Sequence, residues 1–338
     1  MNKKRVLAML LAGAMALSMT ACGGNSASGD GSSNDGGASA SGGSYKVSVI
    51  LKTLAAEYWQ YVKSGAEDYA SEHSDKVTVE VKGPSSETAF DEMQNMIETD
   101  LSSGSYDGVI ISPLQSDTAA QLVSGTKLPI VAIDTNFTAP EVKSFVGTGN
   151  EAAAKKGGEA AVEAAKAAGW TDIKCIEIAG VQGDQTNTAR MNGYKAGVEE
   201  AGGTFLSDEV QYADATADRA TTAMEAIMQT HPEGIAIICA NNDDMAMAAA
   251  RAAQGHDAYK NTIFLGFNGD RAACEAILAG QMTMSVAQMA YEMGYKAVET
   301  MVQVLDGETV DEFVDSGSDV VTPDNAQERL DTLKTQLH

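Results

Sequence analysis

Positive charge is scarce in this chain: 23 Lys and Arg stand against 47 Asp and Glu, for a formal net charge of -24. So acidic a polypeptide repels phosphate backbones and anionic lipid surfaces. Nucleic acid and a charged membrane face are therefore excluded as partners, and the acidity reads as a device for solubility. Histidines number only four; His73, His231, His256 and His338 are scattered singly and leave no metal-ligand spacing. Cysteines also number four. None forms a CxxC pair, and Cys175, Cys239 and Cys274 lie in apolar or helical stretches where a small buried thiol fits. No GxSxG elbow, HExxH or phosphate-cradling GxxxxGK[ST] sequence occurs, so the common hydrolase, metalloprotease and nucleotidase chemistries have no footing. Nothing calls for a metal or another cofactor, and no apolar run reaches the length that spans a bilayer.

What is present begins with an export signal. Lys3, Lys4 and Arg5 precede an apolar run from Val6 to Met19 that is too short to cross a membrane. The run ends in Met19-Thr20-Ala21-Cys22-Gly23, which resembles a bacterial lipobox. In that reading residues 1–21 are removed and Cys22 carries a lipid. Met19 stands where leucine is more usual, and an ordinary secretory signal with a cysteine at its cut site is the other reading. From Gly23 to Ser44 the chain is almost wholly Gly, Ser, Ala, Asn and Asp, too polar to offset its ordering entropy. Residues 22–44 are expected to form a lipid-anchored tether reaching roughly 25 Å root-mean-square. The folded body then starts at Tyr45, held at the outer face of the cytoplasmic membrane.

From there the pattern alternates. Short β-rich runs are expected over Lys46–Leu51, Val77–Val81, Gly108–Ile111, Pro129–Ile133 and Ser144–Gly147. Helical spacing of apolar residues covers Glu57–Glu72, Ala89–Leu101 and Ser116–Val123. A second set follows, with helices over Glu151–Ala168, Thr188–Ala201, Ala217–Gln229, Asp243–Gln254, Asp270–Leu278 and Ala290–Leu305. Strands are expected between them at Ile173–Ala179, Phe205–Gln211, Gly234–Cys239, Ile263–Phe267 and Thr283–Ala287. Repeated βα units imply an α/β fold of doubly wound parallel sheets. About ten strands is many for one sheet, so two sheets in two lobes are expected, with the boundary near Val146–Asn150. Several strand ends carry polar residues: Lys52-Thr53, Asp134-Thr135-Asn136, Asn241-Asn242-Asp243 and Asn268-Gly269-Asp270. Ligands of open α/β sheets bind at such ends, so two facing lobes predict a cleft binder.

These residues carry a resemblance. VILKTLAAEYWQYVKSGAEDYA, PIVAIDTN, TARMNGYKAG, IICANNDDMAMAAARA, IFLGFNGD and GQMTMSVAQ occur in order between Lys46 and Val321. Together they resemble type I periplasmic binding proteins of ABC importers, in the ribose and allose branch. The resemblance implies two lobes joined by three crossovers that close by a hinge on one monosaccharide. The lobes would be 45–148 plus 289–313 and 149–288 plus 314–338. It implies ligand contacts from Lys52, Tyr58, Trp59, Asp134, Thr135, Thr188, Asn242, Phe267, Asn268 and Gln288, with Arg190 as a structural ion-pair residue. It also implies a monomer that delivers its ligand to a membrane permease. Ala56 and Glu57, Thr135 and Asn268 depart from the family's usual residues, so the particular sugar does not follow.

The side chains suit that role. Asp134 can accept from two adjacent hydroxyls, whereas Asn242, Asn268 and Gln288 donate and accept at once. Tyr58 and Trp59 offer flat faces to a sugar ring, and Lys52 can offset Asp134 in a desolvated cleft. Each has a plainer reading: the aromatics as core, Asn242 and Asn268 as helix caps, and Met93, Met96, Met224 and Met228 as core stripes. Other functions remain to be weighed. Gly147-Thr148-Gly149-Asn150-Glu151-Ala152 fits the GxGxxA of a dinucleotide-dependent enzyme, but the next strand ends in Ala179-Gly180 rather than an acid that could hold ribose. A transcription regulator would need a basic DNA-reading segment where the signal and tether stand. A receptor for a polyol or a furanose signal, feeding a sensor rather than an importer, stays open.

Overall fold

The computed structural model describes residues 44–337. The expected signal, Cys22 and the tether up to residue 43 lie outside them. The chain enters as β1 (Tyr45–Ile50), followed by α1 (Glu57–Glu72), β2 (Val77–Lys82), α2 (Phe90–Ser103), β3 (Gly108–Ile111), α3 (Ser116–Val123), β4 (Ile130–Ile133) and β5 (Val142–Gly147). These strands pair in parallel in the order β2-β1-β3-β4-β5. β3 and β4 are buried along their whole length, as strands covered by helices on both faces must be.

The second set runs α4 (Asn150–Ala167), β6 (Lys174–Ala179), α5 (Gln185–Glu200), β7 (Thr204–Phe205), β8 (Gln211–Tyr212), α6 (Ala217–Thr230), β9 (Ile237–Ala240), α7 (Asp243–Ala253), β10 (Ile263–Asn268), α8 (Arg271–Leu278) and β11 (Met284–Gln288). α9 (Ala290–Leu305) returns to pack on α1 and the first sheet. β12 (Phe313–Asp315) extends that sheet beside β5, and β13 (Ser318–Val321) joins the second sheet antiparallel to β11. α10 (Ala326–Lys334) packs on α8. The result is a six-stranded and a seven-stranded sheet.

The chain crosses between the sheets after β5, between β11 and α9, and between β12 and β13. The third crossing falls at Ser316–Gly317, later than residue 313. Phe313 stacks on Phe145 with ring centroids 5.4 Å apart, which keeps β12 paired with β5 through Asp315. Register brings the strand ends level. Ile50 pairs Ile111 and Ile133 pairs Val146 in one sheet; Ile178 pairs Ala240 and Asn268 pairs Ala287 in the other. Each sheet thus delivers its following loops to a single edge.

Each lobe carries one close helix pair made possible by glycine. A Cβ on Gly294 of α9 would lie 1.9 Å from the Val62 carbonyl oxygen of α1, and one on Gly197 of α5 would lie 2.1 Å from that of Lys155 on α4. The expected strand Phe205–Gln211 is instead two short strands either side of a 3-10 turn, Ser207–Glu209, because Ser207, Asp208 and Glu209 favour a turn. β12, β13 and α10 have no counterpart among the expected elements. Among the described residues no helix is long and apolar enough to cross a membrane. Cys175, Cys239 and Cys274 are free and buried.

Candidate functional site

The carboxyl edges of the two sheets enclose a cavity of about 320 Å³, at the small end of the range for small-molecule pockets. The first sheet supplies Lys52 after β1, Tyr58 and Trp59 from the first turn of α1, Glu87 from the loop after β2, and Asp134 after β4. Lys52 is buried, and its ammonium bonds Asp184 across the cleft and lies 4.0 Å from Asp134 Oδ2. Burial alone would lower the Lys52 pKa; Asp184 and then Asp134 outweigh it, and the group stays above its ordinary value. The Tyr58 hydroxyl donates to Asp134 Oδ1 (2.8 Å), and Thr135 Oγ1 donates to Oδ2 (2.9 Å). Trp59 Nε1 donates to Glu87 Oε1 (2.9 Å). Burial lifts the Glu87 pKa against the opposing pull of Lys52 and Trp59.

The second sheet supplies Asp184, Thr186, Asn187 and Arg190 from the start of α5, Asn241 and Asn242 after β9, Asp244, Asn268, Asp270 and Gln288. Asp184 caps α5: its Oδ1 accepts from the backbone N–H groups of Thr186 (2.6 Å) and Asn187 (3.1 Å). Arg190 is buried; Nε donates to Asn150 Oδ1 and Nη1 to the Asn241 carbonyl, each at 2.8 Å. Its guanidinium lies 3.8 Å from the centroid of the Phe267 ring. Gln288 Nε2 donates to Asn268 Oδ1 (3.0 Å), and Asn268 Nδ2 donates to Asp270 Oδ2 (3.3 Å). Glu177 lies fully buried beneath Asn241, whose Nδ2 donates to its Oε1 (3.3 Å). Burial raises its pKa to about 8. Among the described residues no cluster of His, Cys, Asp or Glu is arranged to hold a metal ion.

Of the ten side chains expected to contact ligand, seven line this cavity: Lys52, Tyr58, Trp59, Asp134, Asn242, Asn268 and Gln288. Three do not. Thr135 is buried behind Asp134 and bonds Thr186 Oγ1 (2.7 Å) across the cleft. Phe267 is buried beneath Arg190. Thr188 is exposed, its hydroxyl turned back to the Asp184 carbonyl (3.1 Å). Thr188 and Arg190 stand two residues apart on α5, about 200° around the helix, so with Arg190 turned to the cavity Thr188 faces outward, and Asp184 reaches the cavity as the cap of α5. Among the described residues Arg190 makes no ion pair; instead of the ion-pair role expected of it, it ties Asn150 to the Asn241 carbonyl and lines the cavity. Asn242 also caps α7, accepting from Met245 N (2.9 Å), so its plainer reading holds alongside its place at the cavity. The sequence reading missed Glu87, Asp184 and Asn187, and named Asp270 only as part of a polar strand end. Asp184 had a visible signal, an Asp three residues before an Asn at a helix start; Glu87 had none.

A family model described as a periplasmic binding protein domain matches residues 47–309. A D-allose-binding periplasmic protein of Escherichia coli is 30% identical over 265 residues, 75% of this chain and 83% of its own. A ribose import binding protein of Bacillus subtilis is 26% identical over 274 residues, 80% of this chain and 85% of its own. Among solved structures, a carbohydrate transporter solute binding protein from Agrobacterium radiobacter in complex with D-arabinose superposes with a TM-score of 0.77 at 23% identity, covering 88% of this chain and 100% of that one.

Proposed function

The chain belongs to the periplasmic binding protein family, whose members bind and do not catalyse, and on that premise we propose that its cavity takes up one monosaccharide outside the cytoplasmic membrane. We further assign delivery of that sugar to the permease of an ABC importer, and anchoring through a lipid on Cys22. The lobes divide as residues 45–148 with 289–315, and 149–288 with 318–338, and they hinge about the three crossings. The observation that carries the reading is the lining of the cavity. Residues from both sheet edges meet there, with the Tyr58 and Trp59 rings beside amides and carboxyls that can meet a ring of hydroxyls. Bonds from edge to edge, Lys52 to Asp184 and Thr135 to Thr186, tie the lobes in a closed arrangement and offer the interactions that closure on a ligand would use.

Thermal unfolding of the purified protein against aldoses, ketoses, polyols and nucleosides tests this. A ligand at a hundred times its dissociation constant adds about 2.7 kcal/mol of stability, a shift of several degrees. One strong responder among the monosaccharides is the expected result. A response confined to nucleosides or to no compound at all would remove the sugar reading and leave the fold untouched.

A further inference from the structure

The two ends of the cavity differ in how their polar groups are engaged. At one end charge already meets charge: Lys52 contacts Asp184 and Asp134, and both oxygens of Asp134 accept hydroxyls. At the other end, among the described residues, no cation forms an ion pair with the carboxyls. Asp270 receives one amide hydrogen, from Asn268, with Asp244 nearby and Asp243 buried behind it. The neighbouring cations are engaged elsewhere, Arg271 with Glu57 and Glu275, Arg190 with Asn150 and the Asn241 carbonyl, and Arg329 with the Gly269 and Gln288 carbonyls. The amides run the same way. Gln288 donates to Asn268 and Asn268 to Asp270, so Gln288 Oε1 is left fully buried with no partner. A bare buried acceptor costs about 1–3 kcal/mol, and an unpaired carboxylate costs more. A cavity end made of acceptors fits a group made of donors.

We propose that the sugar bound here is an amino sugar, whose protonated amine sits against Asp270 and Gln288 Oε1 with Asp244 as a second counter-charge. The inference rests on the monosaccharide reading above and narrows it. An ammonium brings three hydrogens and no lone pair, so it satisfies Asp270 and Gln288 Oε1 together. A hydroxyl satisfies one of them and adds lone pairs of its own. In the free protein, burial and then the charges of Asp243 and Glu57 lift the Asp270 carboxyl well above its ordinary range. The titratable groups facing it are Glu57, Tyr58 and Tyr61 on α1, Asp243 and Asp244 on α7, Cys274 on α8 and Arg329 on α10. Where that raised carboxyl carries a proton the arriving ammonium displaces it, so affinity rises with pH as Asp270 ionises, until the amine of the ligand itself deprotonates.

Calorimetric titration of the full protein with matched pairs (D-glucosamine and D-glucose, D-galactosamine and D-galactose, 2-amino-2-deoxy-D-ribose and D-ribose) tests this in two buffers of different ionisation enthalpy. The expected result is one amino member binding about tenfold tighter than its parent, the margin of a charged over a neutral hydrogen bond, with proton release. Asp270→Asn should bring that ratio close to one, and Asp244→Asn should lower it by less; either variant suffices if the other fails to fold. A neutral parent that binds as tightly as its amino counterpart would overturn the inference and leave the sugar reading standing. Binding of no sugar of either kind would remove both.

Discussion

Asp134 follows β4 with φ 61°, and Asn268 ends β10 with φ 138°, so each sheet places a non-glycine residue of positive φ at the rim of the cavity, where Ala215 (φ 59°) adds another on the second sheet's side. Such backbone costs of order 1–3 kcal/mol and persists where surroundings over-determine it, typically at ligand clamps. The surroundings differ. Asp134 is held from four directions, by Tyr58, Thr135, Lys52 and a backbone bond from its own N–H to the Val146 carbonyl (2.9 Å). Asn268 is held through a chain of amides that ends at the bare Gln288 Oε1. One rim is complete without a ligand; the other is finished only when something donates to it.

That contrast can be broken most severely at Lys52. Lys52→Met leaves Asp134 and Asp184 buried without a cation, and losing one partner of a buried ion pair costs about 3–5 kcal/mol. Urea unfolding should show a loss of that size; a change inside the noise would mean the first rim is not held by charge. Next is a pH effect from beneath the second rim. The Glu177 carboxyl has a pKa of about 8 against an ordinary 4.5. The folded state therefore binds more protons than the unfolded one between these values. Its contribution is full below pH 4.5, falls as pH rises and is lost once pH passes about 8. Glu177→Gln should flatten that segment of the stability profile, read from denaturant midpoints across the pH range, and a profile that does not change would remove the buried-acid assignment.

Asp270→Asn sharpens the contrast from the other side. It removes one of several crowded carboxyls that have no cation, so it should raise the stability of the free protein by about 1 kcal/mol. Asp134→Asn, the same chemical change in the first rim, should lower it. Equal signs in thermal unfolding would erase the difference between the rims. The smallest effect is expected from Trp59→Phe, which keeps an aromatic ring but loses the indole N–H and its 2.9 Å bond to Glu87. A loss of about 1 kcal/mol follows from one neutral-to-acid hydrogen bond, and tryptophan removal with no loss would place Glu87 outside the first rim's network.

How much of this was legible in the chain depends on which residues decide each feature. α1, α3 and α9 begin and end where periodicity places them, because their apolar stripes are strong and their flanks polar. Strand ends marked by a polar residue after an apolar run brought Lys52, Asp134, Asn242 and Asn268 to the cavity. Gln288, at the end of β11, reached it through the family resemblance alone. What failed was decided by a single turn of helix or by a distant partner. Thr188 and Arg190 lie on opposite sides of α5, so only one of them can reach the cavity, and the Asp184 cap that begins the helix at Gln185 was not placed by periodicity. Glu87 sits in a loop with no periodicity, and its place is set by an indole 28 residues earlier. β12 and β13 are too short to show a pattern, and exist because Phe145 and β11 offer them an edge. The charge contrast between the rims was not legible, since it depends on which cations are already engaged.

The most direct test is a crystal structure of the protein with the tightest-binding compound from the sugar panel. The ligand should lie between the two sheet edges, with Lys52 still on Asp184 and new hydrogen bonds to Gln288 Oε1 and Asp270. A ligand that displaces Lys52 from Asp184 and leaves Gln288 Oε1 bare would contradict it.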